Sequence, residues 1–155
     1  MKIKVSNIRR EQIKRKELVY FSEWASKRLM GPRLCKNIYL EVSFVDMDEL
    51  GMASALDDEY KPREFEIYLQ KGMDREDIIG TLGHELVHVK QFARRELTNF
   101  DCRNKPVYAG TNIDIDGMDY FDYPWEIEAY GRAVGLLARY KEHIAEFKLI
   151  QRLTK

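Results

Sequence analysis

Hydrophobic side chains recur along this chain at two spacings, and the change of spacing predicts where helices and strands lie. Ser6 or Asn7 is placed to cap a first helix that runs to the Gly31-Pro32 pair, because glycine and proline typically stop a helix. Its apolar stripe, spaced by three and four residues, consists of Leu18, Phe21, Ala25 and Leu29.

Alternation of apolar and polar residues in the middle of the chain predicts strands. Residues 38–44 carry apolar side chains at every second position, and residues 64–69 do the same. The segment from Gly51 to Leu56 is small and extended, and Lys61-Pro62-Arg63 after it resembles a turn. The segments 51–57 and 64–70 therefore predict a hairpin.

Two more helices follow, separated by a long segment without periodicity. The first begins near Asp74, with Asp77 three residues on in a capping-box-like start, and is expected to end near Leu97. Its predicted stripe is Ile78, Leu82, Leu86 and Val89. Residues 98–122 show no period, which in a compact fold usually indicates a functional loop. The last helix opens at Tyr123-Pro124, with proline in its favoured first turn. Its predicted stripe is Ile127, Val134, Leu137 and Ile144.

The order of elements predicts an α+β fold, with a small and mostly antiparallel sheet, in one domain over residues 1–155. The 26 basic and 26 acidic residues balance, so the chain as a whole offers no argument for a polyanion partner. Basic residues nevertheless crowd the N-terminus, and the predicted first helix carries several of them. There is no secretory signal and no run of about 20 apolar residues, so we expect a cytoplasmic protein without a membrane span.

The chemistry of the chain is concentrated in the motif His84-Glu85-Leu86-Val87-His88 on the second long helix. Residues at i and i+4 lie on one helix face, so both imidazoles can share a metal ion. Glu85 lies one position round from His84 and can reach a water that the metal activates without being a ligand itself. Zinc lowers the pKa of water to about 7, and a carboxylate then takes the proton. The motif thus predicts a zinc site with Glu85 as general base.

A catalytic zinc ion needs a third protein ligand, and the residues leave more than one candidate. His143 is a poor candidate because it lies deep in the final helix. The metzincin motif is absent, since Gln91 and Arg94 occupy the positions that hold its glycine and its third histidine. The remaining candidates are Glu126 and Glu128 at the start of the final helix. Two residues advance a helix by about 200°, so only one of them can face a given metal.

The segment Trp125-x-x-Glu128-Ala129-Tyr130 resembles the second motif of gluzincin metallopeptidases. Together with the histidine motif, it makes the chain similar to a minimal zincin of the kind found among small bacterial and phage metallopeptidases. The resemblance implies that His84, His88 and Glu128 bind the zinc ion and that Glu85 is the base. The two motifs lie further apart here than in compact gluzincins, because residues 98–122 separate them.

Glycines in the two helices support a close helix pair. Gly80 and Gly83 precede His84, and Gly131 and Gly135 follow Glu128. Glycine costs a helix about 1 kcal/mol against alanine, so four glycines here suggest that the helix backbones approach each other. A tight crossing without a metal would leave the same signature.

The substrate side of the site rests on fewer residues. In zincins an edge strand receives the peptide backbone, which by resemblance places Ala53, Ser54 and Ala55 against the substrate. Tyr120, among the loop tyrosines Tyr108, Tyr120 and Tyr123, is our candidate donor to the oxyanion.

Two further candidate metal sites have less support in the sequence. The run from Asn112 through Asp114 and Asp116 to Gly117 starts like a calcium loop, but the position of its last ligand holds Tyr123, which favours an ordinary turn. Cys102 is a possible zinc ligand, and neither cysteine belongs to a disulfide framework.

The sequence thus predicts a zinc-dependent peptidase that acts on a peptide or protein, with one zinc ion. Three alternatives stay open. The first is a DNA-associated protease of the SprT-like kind, whose basic N-terminal helix would contact nucleic acid. The second is a zinc-binding regulatory module without turnover. The third is a structural zinc site with Cys102 as a fourth ligand.

Overall fold

A computed structural model of the chain describes residues 1–57, 60–98 and 105–153, the last six of them by their backbone alone. Its architecture is α+β. The helices are α1 (Arg15–Met30), α2 (Pro32–Cys35), α3 (Arg75–Ala93) and α4 (Pro124–Leu153). The main strands are β1 (Lys2–Ser6), β2 (Tyr39–Val45), β3 (Gly51–Ala55) and β4 (Glu64–Gln70). No helix in the described ranges combines the length and apolarity needed to cross a bilayer.

The N-terminus forms a strand that the sequence did not predict, and the first helix begins later than predicted. Residues Lys2–Ser6 pair in parallel with β2, and Asn7 then adopts a positive φ of 58° that ends the strand. Helix α1 begins only at Arg15, so Ser6 does not cap it. The signal is the alternation of the exposed Lys2 and Lys4 with the less exposed Ile3 and the buried Val5, which is the spacing of a strand. Arg9, Arg10 and Lys14 consequently lie ahead of α1, and the predicted basic helix is wrong over these residues.

The main sheet has the order β1-β2-β4-β3. Its β1–β2 and β2–β4 pairs are parallel and only the predicted β3–β4 hairpin is antiparallel, so the expectation of a mostly antiparallel sheet is wrong. Parallel pairing needs a crossover, and α1 with α2 provides it between β1 and β2. Strand β3 lies at the sheet edge, as predicted.

Helices α1 and α3 cover one face of this sheet. The inward residues of β2 and β4 are fully buried, and the predicted stripes of α1 and α3 are buried against them, which confirms both stripes. Asp74 caps α3 by accepting a hydrogen bond of 2.9 Å from the backbone N–H of Asp77, as the capping pattern predicted. Helix α3 ends at Ala93 rather than near Leu97, because Arg95 turns at φ 60° and Leu97 enters a second sheet.

The second sheet lies within the segment predicted to be an aperiodic loop. It consists of β5 (Leu97–Thr98), β6 (Val107–Tyr108) and β7 (Thr111–Asn112), all paired antiparallel. A 3-10 turn at Tyr120–Asp122 then leads into α4, which starts at Pro124 as predicted. Strands of two residues are too short to produce a recognisable hydrophobic period, so the sequence pattern could not reveal them.

Helix α4 packs on α3 with a face that differs from the predicted stripe. The buried residues of α4 are Trp125, Glu126, Ala129, Ala133, Leu136 and Tyr140. By contrast, Ile127 and Val134 are 57% and 71% exposed, so their assignment to the core is wrong. The true stripe contains two alanines and a glutamate and was therefore less conspicuous than the apolar residues beside it.

Candidate metal centre

Three side chains from α3 and α4 converge on one point. His84 Nε2 and His88 Nε2 lie 3.0 Å apart, and Glu126 Oε2 and Oε1 lie 3.3 Å and 3.5 Å from them, respectively. All three side chains are at most 12% exposed. Within the described residues these three groups are close enough to hold one metal ion, and the two histidines are the ones predicted.

The spacing of these donor atoms fits a small divalent ion. Ligands bound tetrahedrally at about 2.0–2.1 Å stand about 3.3 Å from one another, close to the three distances in this cluster. Without an ion, two imidazole nitrogens face each other at the distance of a hydrogen bond, although a neutral imidazole has only one N–H. Glu126 Oε2 is buried and has no well-aligned hydrogen bond within the described part of the chain. A cation between them would satisfy all three groups.

Gln91 determines which nitrogen of His88 faces the centre. The Gln91 amide nitrogen donates to the backbone carbonyl of Trp125 at 2.9 Å and to Glu128 Oε2 at 3.0 Å. Its carbonyl oxygen therefore faces His88 Nδ1, 2.9 Å away, and accepts the hydrogen bond from that nitrogen. A neutral His88 with its proton on Nδ1 keeps the lone pair of Nε2 for a metal.

Glu126, rather than Glu128, accompanies the histidines. Glu126 lies on the buried stripe of α4 with Ala129 and Ala133, and this stripe packs on α3. Glu128 is turned away by two helix positions, as the geometry of a helix requires. The prediction that Glu128 is the third ligand is therefore corrected. The geometry favours the alternative, Glu126. The small residues Ala129 and Ala133 mark the inner face of α4, and Glu126 lies on this face. A sequence analysis that took the small residues as the inner face would have indicated Glu126.

The electrostatics of Glu126 favour its ionised form. Burial by itself would raise the pKa of this carboxyl group, but hydrogen bonds from His84 and His88 outweigh burial and lower the pKa to about 2. In the opposite sense, hydrogen bonding to Glu126 contributes to a raised pKa of His88 although burial lowers it. The cluster thus consists of an ionised carboxylate next to two imidazoles. Such a group attracts a positive charge, which is either a proton on an imidazole or a metal cation.

Glu128 occupies a separate site next to the centre. It accepts hydrogen bonds from Lys90 at 2.5 Å, Arg132 at 2.6 Å and Tyr108 at 2.9 Å, besides the one from Gln91. Burial opposes ionisation here, yet these donors, Lys90 first, lower the pKa of Glu128 to about 2. Glu128 therefore joins Gln91 to the second sheet, through Tyr108, without touching the histidines.

Glu85 lies beside the cluster and under the edge strand. Its side chain is 5% exposed, and burial raises the pKa of its carboxyl group although His88 and His84 oppose the shift. A Cβ atom on Gly51 of β3 would lie 2.7 Å from Glu85 Oε1 and 2.6 Å from Thr81 Cγ2. Glycine at position 51 permits this close approach of β3 to α3, which no sequence pattern indicated.

A cavity of about 650 Å³ opens over the centre and runs along β3. The centre itself, with His84, Glu85, His88 and Glu126, lines the cavity, together with Ala53, Tyr120 and Trp125. Of the predicted substrate-binding residues in the described chain, Ala53 borders the cavity, whereas Ser54 and Ala55 do not. The backbones of Leu50 and Leu56 form hydrogen bonds with β4. In an antiparallel pair only every second residue bonds to the partner strand, so the main-chain groups of Ala53 and Ala55 face the free edge.

The three loop tyrosines have different surroundings. Tyr120 lines the cavity, and its pKa is raised well above the usual range by partial burial and by the neighbouring Glu126 carboxylate. Tyr108 donates to Glu128 instead, and burial with this bond raises its pKa to about 12. Tyr123 packs against Trp125 with ring centroids 5.0 Å apart. Only Tyr120, the predicted candidate, is therefore positioned to present its hydroxyl to the cavity.

The remaining candidates lie elsewhere. Asp114 forms an ion pair with Lys105 and accepts a 3.3 Å hydrogen bond from the N–H of Asp116, which is the ordinary turn expected. His143 meets the Tyr20 hydroxyl at 2.7 Å, away from the centre. Cys102 lies outside the described residues, and Cys35 is a free, buried thiol.

The predicted role of the glycines holds at one position. A Cβ atom on Gly83 would lie 3.8 Å from the Cα atom of Ala133 in α4, so Gly83 does lie where the two helices approach. A Cβ on Gly80, Gly131 or Gly135 would meet nothing within 4 Å, so packing between the helices does not explain these three.

Comparisons of the chain with protein-family models, curated proteins and solved structures gave no match.

Proposed function

We propose that this chain is a zinc-dependent peptidase in which His84, His88 and Glu126 hold the metal ion and Glu85 is the general base. The observation that carries the proposal is the convergence of these four side chains at the floor of a cavity that borders an edge strand. Two imidazoles and one carboxylate are the ligand set of many catalytic zinc sites, in which a fourth position stays open. The resemblance to gluzincins supports the roles of His84, Glu85 and His88, whereas Glu126 rests on the geometry and replaces Glu128, the ligand that the resemblance implies.

Zinc fits this donor set better than calcium or magnesium, because those harder ions prefer an all-oxygen shell. When bound, zinc acts as a Lewis acid and lowers the pKa of water from 15.7 to about 7. The protein fixes the direction of its donors through Gln91, which orients His88, and through the first turn of α4, which carries Glu126.

Glu85 is assigned to move protons. It lies next to the donor atoms but is not one of the three that converge, so its carboxylate is free to accept a proton from water on one oxygen. The same oxygen then returns the proton to the amine that leaves when the peptide bond breaks. Burial under β3 removes Glu85 from bulk solvent and keeps this exchange within the cavity.

The edge of β3 is assigned to bind the substrate backbone. Ala53 and Ala55 present main-chain donors and acceptors to the open side, and an extended peptide would pair with them as an added strand. Tyr120, which also lines the cavity, is assigned to donate its hydroxyl proton to a developing oxyanion. A peptide or protein substrate therefore suits the site better than a compact small molecule.

The experiment that tests this function compares metal binding with cleavage. We expect one zinc ion per wild-type chain after dialysis, and cleavage of a random-sequence peptide library detected by mass spectrometry. Glu126→Ala is expected to lose the zinc ion, whereas Glu85→Gln keeps it and loses cleavage. Zinc bound without any cleavage would favour the regulatory module instead, and a chain that binds no zinc would overturn the proposal.

A further inference from the structure

A second cavity, of about 440 Å³, adjoins the metal centre. It shares His84, Glu85 and Tyr120 with the cavity that borders the edge strand. The two cavities therefore meet at the proposed reaction site, and a group bound in the second one would lie directly beside the bond under attack.

The walls of the second cavity are mostly apolar. They include Leu50 from the segment before β3 and, from α4, Tyr130, Val134 and Leu137. Val134 is 71% exposed and Leu50 is 58% exposed, although both would be more stable out of water. These exposed side chains line one cavity, so they belong to one apolar site rather than being scattered singly over the surface.

Gly80 keeps this cavity open. It lies in the interior of α3, one turn before His84, where glycine costs about 1 kcal/mol relative to alanine. No neighbouring atom demands glycine at this position, since a Cβ there would meet nothing within 4 Å. Gly80 nevertheless lines the cavity, and any side chain at position 80 would project into free space beside the proposed reaction site.

We infer that the second cavity binds a large apolar side chain of the substrate and that Gly80 determines the size of the side chain it accepts. A cavity of this volume accommodates an aromatic or long aliphatic side chain. The acidic groups on the cavity wall are Glu49, which is exposed, and Glu85, which the proposed function assigns to proton transfer. The inference rests on the proposed function, because the substrate is taken to be a peptide.

The experiment uses binding to separate the inference from catalysis. The probes are three hydroxamates of one scaffold, which chelate the metal and carry a benzyl, a methyl or an aminobutyl side chain. Zinc-loaded wild type is expected to bind the benzyl probe about tenfold or more tightly than the methyl probe. In Gly80→Leu, the leucine side chain fills the cavity, so this preference is expected to disappear while the affinity for the methyl probe is retained.

The matched control is Gly131→Leu, which makes the same change at an exposed helix position where a Cβ also meets nothing within 4 Å. It should retain the full preference. Val134→Asp, which places a charge at the cavity, gives a second test that leaves Gly80 unchanged and should also weaken the benzyl probe.

The outcomes distinguish the two proposals. Equal affinity of wild type for the benzyl and methyl probes, or a preference for the aminobutyl probe, would overturn the apolar pocket. The same holds for an unchanged benzyl preference in zinc-loaded Gly80→Leu. A benzyl preference that Gly80→Leu abolishes, in a chain that cleaves no peptide, would support the pocket while the peptidase proposal fails.

Discussion

His88 Nδ1 lies 2.9 Å from Gln91 Oε1, and this contact links the candidate metal centre to the rest of the protein. Gln91 is completely buried, and its two donated hydrogen bonds hold its amide in one orientation. Trp125, which accepts one of these bonds through its carbonyl, immediately precedes Glu126 in α4. A single side chain of α3 therefore positions both a histidine of its own helix and the turn that carries the carboxylate.

Gln91→Met is expected to lower zinc affinity about 10–100-fold, the usual effect of removing a partner that orients a ligand. Methionine keeps the volume of glutamine but cannot hold the His88 proton on Nδ1. Competition with a chromophoric chelator measures the affinity, and Gln70→Met is the control, since Gln70 ends β4 and is not one of the residues of the candidate centre. If Gln91→Met bound zinc as tightly as wild type, Gln91 would have no role in orienting His88.

Glu126→Ala and Glu128→Ala are expected to have opposite effects. Removing Glu126 should abolish stoichiometric zinc binding, because one of the three converging donors is lost. Removing Glu128 leaves the buried ammonium group of Lys90 with Glu96 alone, so we expect about 1–3 kcal/mol less stability with zinc still bound. Elemental analysis and urea unfolding of both variants check this, and loss of zinc only in Glu128→Ala would restore the sequence-based assignment.

Gly51→Ala is expected to destabilise the metal-free protein by about 1–3 kcal/mol. The new methyl group would lie within 2.7 Å of Glu85 and Thr81, so β3 has to move away from α3. Gly131→Ala is the matched control and should instead stabilise by up to about 1 kcal/mol, because its methyl group meets open space on a helix. Urea denaturation of both variants without metal measures the difference, and equal stabilities would show that β3 is not held against Glu85.

Zinc is expected to stabilise the folded chain by mass action. At a free concentration of 100 times its dissociation constant, the ion should raise the free energy of unfolding by about 2.7 kcal/mol. Thermal unfolding with zinc and then with excess chelator checks this, using His84→Ala as the control that should not respond. Equal responses of wild type and His84→Ala would mean that zinc binds elsewhere.

The sequence predicted the α+β class, the β3–β4 hairpin and the histidine pair, because each leaves a local signal. Alternation, capping residues and the i, i+4 spacing are all readable over a few residues. It failed where the decisive information is nonlocal. Strand β1 exists because it pairs with β2, which lies more than thirty residues further along the chain, and the local pattern did not predict it.

The choice of Glu128 over Glu126 failed for a related reason. The two residues are equally acidic, and only the packing of α4 on α3 distinguishes them. Ile127 and Val134 looked like the inner face because they are the more hydrophobic residues, yet Ala129 and Ala133 lie inside because the helices approach closely there. Of the two exposed residues, Val134 lines the second cavity, whereas Ile127 does not.

The donors of the metal centre come from only two helices, and most of the chain between them belongs to neither. An ion held by His88 and Glu126 would thus act as a covalent-like cross-link that closes the intervening segment into a ring. The entropy of closing such a ring grows slowly, by about 0.6 kcal/mol for each doubling of its length. Insertions or deletions between β5 and the 3-10 turn should therefore change metal affinity little, which leaves that stretch free to diverge in length and sequence while the centre stays intact.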